Sequence, residues 1–509
     1  MNRTIVLLFC VALMLPGCGK PESDAPPAAE TSGQQKATTQ PQPNKPKQAI
    51  RSATAGDPAA PKRASGDFFG GNFLNSDRLK ERLKVGRIEP EVKFTADPSK
   101  LEAAGIRVIE GKHVQLYTDL EPSPEIDELP QVFDAAFPQW CEYFRVDPVE
   151  NADWKIKAVL MTNKEKFREA GLFPDSLPEF LHGYYQGDSV WLLDQPSDYY
   201  RRHLLLHEGT HAFMYILLGG AGPPWYMEGM AEHFGTHQWE NGQLITRVMP
   251  PSKEATPMWG RIKIIQDEVK EGKTLSLVSV MATPQQAFLE NRPYAWCWGV
   301  CAFLDNHSLS KEEFRNMVSQ VKLTGGFSER LFDRLGAVMP KLSESWQLFT
   351  VNADYGYDWA RNEVVYKEPV PMIGETATAE IATDRGWQST GIALEPNVVY
   401  EVKAIGQYQI RNDGQPWMSE PNGVTIHYWK GQPLGVLLGS LRHEQWDGTS
   451  LTPLAKTYPV GYGTKLYPTA PVTLFLKVNE SPAELGDNQG TIQIQIKRVD
   501  EKPPTSDGQ

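Results

Sequence analysis

Apolar and polar positions follow two regimes along the chain. From residue 113 to about 350, short alternating runs are interleaved with segments whose apolar residues recur three and four apart, which predicts strands alternating with helices. HVQLYTDL (113–120) alternates as a strand, 125–144 carries Phe133, Phe137, Trp140 and Phe144 at helical spacing, and KIKAVLMT (155–162) reads as a second strand. Residues 164–170 suit a short helix. YYQGDSVWLL (184–193) reads as one strand leading into a helix rich in Leu204, Leu205, Leu206, Phe213, Met214, Ile216 and Leu217. Gly219-Gly220 ends that helix, Pro223-Pro224 prevents its resumption, and a second helix is predicted from near Trp225. Past Phe234 the spacing stays mostly helical to about 350, through 260–269, 284–291, 294–306 and 311–321. From about Pro369 it changes. NVVYEVKAIGQYQI, GVTIHYW, VTLFLKV and GTIQIQIKR alternate with period two between Gly, Pro, Asn and Asp, predicting an antiparallel β-sandwich of about 130 residues.

The first 18 residues belong to neither regime. A polar start at Asn2-Arg3, an apolar stretch from Ile5 to Leu15 too short to span a bilayer, and the box Leu15-Pro16-Gly17-Cys18 predict a targeting segment. Its L-x-G-C ending resembles a bacterial lipobox, which implies that Cys18 is lipidated and ties the protein to a membrane; an ordinary secretory signal cut nearby is the other reading. Both imply export, as a lipid-anchored envelope protein or as a periplasmic or extracellular one. Gly19 after the Cys implies, by the same resemblance, the outer membrane. Residues 19–66 hold many Pro, Ala, Gln, Ser, Thr and Lys and almost no large apolar side chains, so a disordered tether is expected. The rest, over 400 of 509 residues, exceeds one core, and two domains are expected at 67–368 and 369–500. A net charge of −12 argues against nucleic acid as a partner. Of five cysteines, Cys10 is expected to leave with the signal and Cys18 is the candidate lipid site. Cys141, Cys297 and Cys301 read as small buried apolar residues, with a disulfide as the alternative.

The candidate chemistry lies in LLLHEGTHAFMYILLGGAGPPWYMEGMAEHF (204–234). His207 and His211 are four apart on a helix, so both imidazoles can meet one metal ion, and Glu208 beside them can act as a general base on water. Sixteen residues separate His211 from Glu228, read as the third metal ligand; Glu232, one turn further, is read as the acceptor that orients a ligand imidazole. Chance supplies such an H-E-x-x-H in about one chain in a hundred of this size. The alternative, a buried helix whose histidines only hydrogen-bond, would bury two His and three Glu unpaired at considerable cost.

HExxH followed by EGxAE resembles the gluzincin metallopeptidases, in particular the peptidase-MA-like group and the aminopeptidase N branch, over roughly residues 110–310. The resemblance implies an α+β architecture: a zincin-like catalytic domain with a helical subdomain, then the sandwich. It further implies one Zn2+ per chain, a protein or peptide substrate, and substrate pairing at the sheet edge formed by the strand before the metal helix. Tyr294, sixty-six residues past Glu228, stands where aminopeptidase N-like enzymes place an oxyanion-stabilising Tyr; packing is the other role open to it, and His233 and His237 are alternatives. The G-x-M-E-N type of amino-terminal clamp is absent, which favours endopeptidase activity. In the C-terminal part, WQSTGI (387–392), LGVLLGSL (434–441) and LKVNE…GDNQGTI resemble galactose-binding bacterial lectins. That implies carbohydrate and Ca2+ near Asn479, Asp487 and Asn488, although Glu480 replaces the family's usual Asp, and turn-forming roles explain these residues equally well. The reading is an exported zinc peptidase. Its rivals are a surface binding protein acting through the sandwich and a zinc amidase for a non-peptide amide.

Overall fold

Arg107–Glu110 (β1) and Val114–Thr118 (β2) pair antiparallel and begin a five-stranded mixed sheet. The computed structural model describes residues 94–501 apart from 324 and 449, together with the backbone of residues 50–51. The expected targeting segment with Cys18, almost all of the tether, and residues 67–93 lie outside the described residues. β2 is joined in parallel to Ile156–Met161 (β3) through a crossover, as parallel strands require, and the crossover contains the helix Leu129–Phe144 (α1). α1 buries Phe133, Phe137, Trp140 and Phe144, the face its spacing predicts.

The segment expected to be one strand is two. Gly183–Gln186 (β4) turns back at Gly187-Asp188 onto Ser189–Leu193 (β5), with Gln186 opposite Ser189. Gly187 has φ of 66°, the positive value that tight two-residue hairpins demand. The sheet order is β1-β2-β3-β5-β4, so the strand just before the helix that carries His207 and His211 is interior and β4 forms the edge. A second hairpin, His237–Glu240 (β6) with Gln243–Thr246 (β7), stands within the stretch expected to be mostly helical, ahead of the first helix expected there. Its Asn241-Gly242 turn, both residues at positive φ, is the strongest short hairpin signal a sequence can carry.

The helices that matter for the site are Asp198–Phe213 (α2), Pro224–Gly235 (α3), Arg261–Lys270 (α4) and Asn291–Asn306 (α5). Cys141, Cys297 and Cys301 are buried and free, so the disulfide alternative falls. Among the described residues no helix is long and apolar enough to cross a membrane.

After Met339–Asn352 (α6) the chain turns to strands. Thr376–Ala382 (β8), Gln388–Leu394 (β9), Val399–Ile405 (β10), Leu437–His443 (β11), Gly463–Tyr467 (β12), Val472–Val478 (β13) and Thr491–Val499 (β14) form two mainly antiparallel sheets, with internal orders β12-β10-β14-β8 and β11-β13-β9. The backbone of Ile50–Arg51 adds to the β12 edge. One core joins the sheets, and it follows period two: Tyr400, Val402 and Ala404 of β10 meet Ile492, Ile494 and Ile496 of β14. The GVTIHYW run departs from expectation, because Val424–Trp429 pairs only with Gln432–Leu434 and leaves Ile426 and Tyr428 exposed.

α6 ties the two parts together. Its buried Leu348 packs with Trp387, Leu438, Leu454 and Phe475. One turn earlier, Glu344 accepts from Arg442 Nε at 2.9 Å, Tyr366 Oη at 2.8 Å and Thr452 Oγ1 at 2.6 Å. The described chain is therefore mixed α+β, with its helices and mixed sheet first and its antiparallel sheets last.

Candidate metal centre

α2 starts where Ser197 Oγ accepts from the backbone of Tyr200 at 3.2 Å. A helix begun there carries His203, His207 and His211 on one face, four residues apart. α3 begins with Pro224 in its first turn, where a missing N–H costs nothing, and places Glu228 and Glu232 towards α2. Gly229 lets α3 approach α5. A Cβ there would stand 2.5 Å from Cys301 Sγ and 2.6 Å from the Cys297 carbonyl oxygen.

The result is a triangle of donors. His207 Nε2 and His211 Nε2 are 3.2 Å apart, and Glu228 Oε2 lies 3.3 Å from each. All three residues are buried, at 6% exposure. Bonds of about 2.0 Å from a tetrahedral ion set neighbouring donors about 3.3 Å apart, so the trio fits a metal ion in both spacing and chemistry. Burial alone would raise the Glu228 carboxyl, but the His211 and His207 imidazoles more than offset it and bring it down to about 2, which keeps the carboxylate ionised and ready to ligate.

Glu208 sits beside the trio and outside it. A Cβ on Gly183, the first residue of β4, would lie 2.5 Å from Glu208 Oε1, so the carboxylate rests directly against the edge strand. Burial pushes this carboxyl up to about 8, with His211 opposing and Glu228 and Glu232 adding to the rise. Tyr294, in the first turn of α5, has its ring centroid 6.0 Å from that of His207 and 5.1 Å from Phe288; burial first, then Glu228 and Glu208, raises its phenol. On the β4 side Tyr185 stacks on Tyr215 at 5.6 Å and lies 6.5 Å from the His211 ring.

Behind the trio is a second layer. Glu232 Oε1 is 3.5 Å from His207 Nδ1, and Glu232 Oε2 is 3.5 Å from His203 Nε2. Arg261 Nε donates to Glu232 Oε2 at 3.0 Å and Nη2 to Oε1 at 2.8 Å. His203, His207 and Glu232 also cluster tightly enough to hold an ion, but Arg261 already occupies both oxygens of that carboxylate.

All six residues singled out in the sequence, His207, Glu208, His211, Glu228, Glu232 and Tyr294, thus meet in one place. His233 and His237, the alternatives to Tyr294, do not join them. His233 Nε2 faces Asp305 Oδ2 at 3.2 Å, and His237 stacks on Tyr199 at 4.6 Å while its Nδ1 lies 2.8 Å from the Gly235 carbonyl. Sequence reasoning missed His203, Gly183 and Arg261. His203 was findable, being one more four-residue step before His207.

In the C-terminal sheets, Asn479 Nδ2 donates to the carbonyls of Trp429, Gln432 and Pro433 at 3.0–3.1 Å, a turn-stabilising use. Asn488 Nδ2 similarly donates to Thr383 O at 3.0 Å, and Asp487 Oδ2 accepts from the backbone of Asn412 at 2.9 Å. Glu480, pushed up to about 8 by burial, lines a cavity of about 170 Å³ with Arg411, Asp413, Glu484 and Asp487.

No protein-family model matches the chain, and no curated protein matches it. Among solved structures, the N-terminal domain of EclA, described as a PllA-like lectin, is similar at 17% identity over 24% of this chain and 95% of its own, with a TM-score of 0.18. PliG of Aeromonas hydrophila, a periplasmic inhibitor of g-type lysozyme, is similar at 10% identity over 27% of this chain and 97% of its own, with a TM-score of 0.17. Likenesses this slight assign neither activity nor ligand to the chain.

Proposed function

We propose that the chain is a zinc-dependent peptidase with a zincin-like catalytic part, in which His207, His211 and Glu228 hold the metal and Glu208 is the general base. The observation that carries this reading is the convergence of three buried donors at 3.2–3.3 Å with the buried Glu208 carboxyl beside them. Bound there, zinc would supply Lewis-acid polarisation of the scissile carbonyl and a nucleophilic water near neutral pH. Glu208 takes the proton from the attacking water and returns it to the leaving amine. Glu232, whose Oε1 lies 3.5 Å from His207 Nδ1, orients that imidazole so that Nε2 is turned to the centre. Tyr294 donates a hydrogen bond to the carbonyl oxygen as it gains charge. An extended peptide adds to β4, the outer strand, which sets its backbone alongside Glu208.

Cleavage of unfolded casein by the full chain tests this. Hydrolysis should disappear on dialysis against 1,10-phenanthroline and return on adding about one equivalent of zinc, since three neutral or singly charged donors hold the ion reversibly. Hydrolysis that survives chelation contradicts the metal mechanism. A zinc-loaded chain that cleaves no peptide bond contradicts the peptidase reading and favours a non-peptide amide or a binding role.

A further inference from the structure

Arg261 opens α4, follows Gly260 at φ 63°, and sends its side chain inward until it is 6% exposed. Three groups receive it. Glu232 takes both of its forked hydrogen bonds, at 2.8 and 3.0 Å; the Tyr200 phenol of α2 adds to its electrostatic surroundings; and the guanidinium carbon lies 5.6 Å from the Tyr294 ring centroid. Burying such a pair is costly in desolvation, and apolar residues of the same volume are often as stabilising. A buried Arg–carboxylate pair is therefore a poor source of stability and a good source of fixed geometry, because two parallel hydrogen bonds leave the carboxylate one orientation.

The orientation matters here because Glu232 stands between two imidazoles. His207 belongs to two candidate trios, through Nε2 with His211 and Glu228, and through Nδ1 with His203 and Glu232. Only a Glu232 occupied by another cation leaves the second trio without a free carboxylate. That cation is Arg261.

Resting on the zinc reading above, we propose that Arg261 is a positioning residue: it locks Glu232 so that His207 serves the His207–His211–Glu228 trio alone, and it fixes the Tyr294 ring beside that trio. Arg261 touches neither ligand atom nor substrate and acts through Glu232 and Tyr294.

The test is zinc affinity of the full chain, measured by competition with a fluorescent chelator, in wild type, Arg261→Lys, Arg261→Met, Glu232→Gln and the Glu232→Gln/Arg261→Met double variant. Loss of a partner behind a ligand imidazole typically costs about 10–100-fold in metal affinity. Arg261→Met should fall in that range and match Glu232→Gln. The double variant should be no weaker than either single one, because both remove the same restraint. Arg261→Lys keeps the charge without the fork and should recover only part of the loss. If Arg261→Met unfolds from its unpaired Glu232, Arg261→Lys and the double variant, which buries no lone charge, still decide. Folded Arg261→Lys and double variants with zinc affinity within twofold of wild type overturn the inference. So does a double variant weaker than Glu232→Gln by a further full factor. Wild type that binds no zinc overturns the metal reading itself, a result distinct from both.

Discussion

Glu208→Gln is expected to keep its zinc and to lose hydrolysis, with kcat reduced by about 10²–10⁴-fold, the usual contribution of a positioned general base. The substitution preserves shape, which matters because the side chain is buried and its Oε1 would meet a Gly183 Cβ at 2.5 Å. Nothing in the donor triangle depends on Glu208: the 3.2 and 3.3 Å separations run between His207, His211 and Glu228 alone. Metal analysis and kcat on a fluorogenic peptide should therefore separate cleanly, with metal retained and turnover lost. KM should change little, because the lost interaction belongs to proton transfer rather than to binding. Turnover of the variant at the wild-type rate would remove Glu208 from the mechanism.

Gly229→Ala is expected to damage both stability and metal binding. The new methyl would meet Cys301 Sγ at 2.5 Å and the Cys297 carbonyl oxygen at 2.6 Å, and the second of these is backbone, which cannot rotate away. α3 and α5 must separate. Overpacking of this kind costs about 1–3 kcal/mol, and a rigid obstacle places the variant at the upper end. The displacement also moves Glu228, the preceding residue, relative to His207 and His211. Urea unfolding should show the destabilisation, and chelator competition a weaker hold on zinc. Gly336→Ala is the control: a Cβ there meets nothing within 4 Å, and its φ of −49° suits any residue, so stability should hold or rise slightly. Equal behaviour of the two variants would contradict the packing argument.

What the sequence revealed was what local spacing encodes. The four-residue steps His207–His211 and Glu228–Glu232 placed four of the six singled-out residues on two helix faces, and the alternation of GTIQIQIKR placed Ile492, Ile494 and Ile496 in one core. The hairpins at Gly187-Asp188 and Asn241-Gly242 were also written in the chain, but neighbouring apolar periodicity outweighed two-residue turn signals in the reading. GVTIHYW shows the opposite limit. A run can alternate perfectly and still stand outside both main sheets, because alternation says which residues share a face and not what covers it. Arg261 was beyond reach. It lies twenty-nine positions past Glu232, and an arginine at a helix start is ordinarily solvated; only the packing of α4 brings the two together.

The most direct test of the central claim is diffraction from zinc-grown crystals of the full chain, recorded on both sides of the zinc absorption edge. The account predicts one anomalous peak per chain, within bonding distance of His207 Nε2, His211 Nε2 and Glu228 Oε2, with Glu232 still held by Arg261. A peak among His203, His207 and Glu232 instead, or no peak on α2 at all, would contradict it.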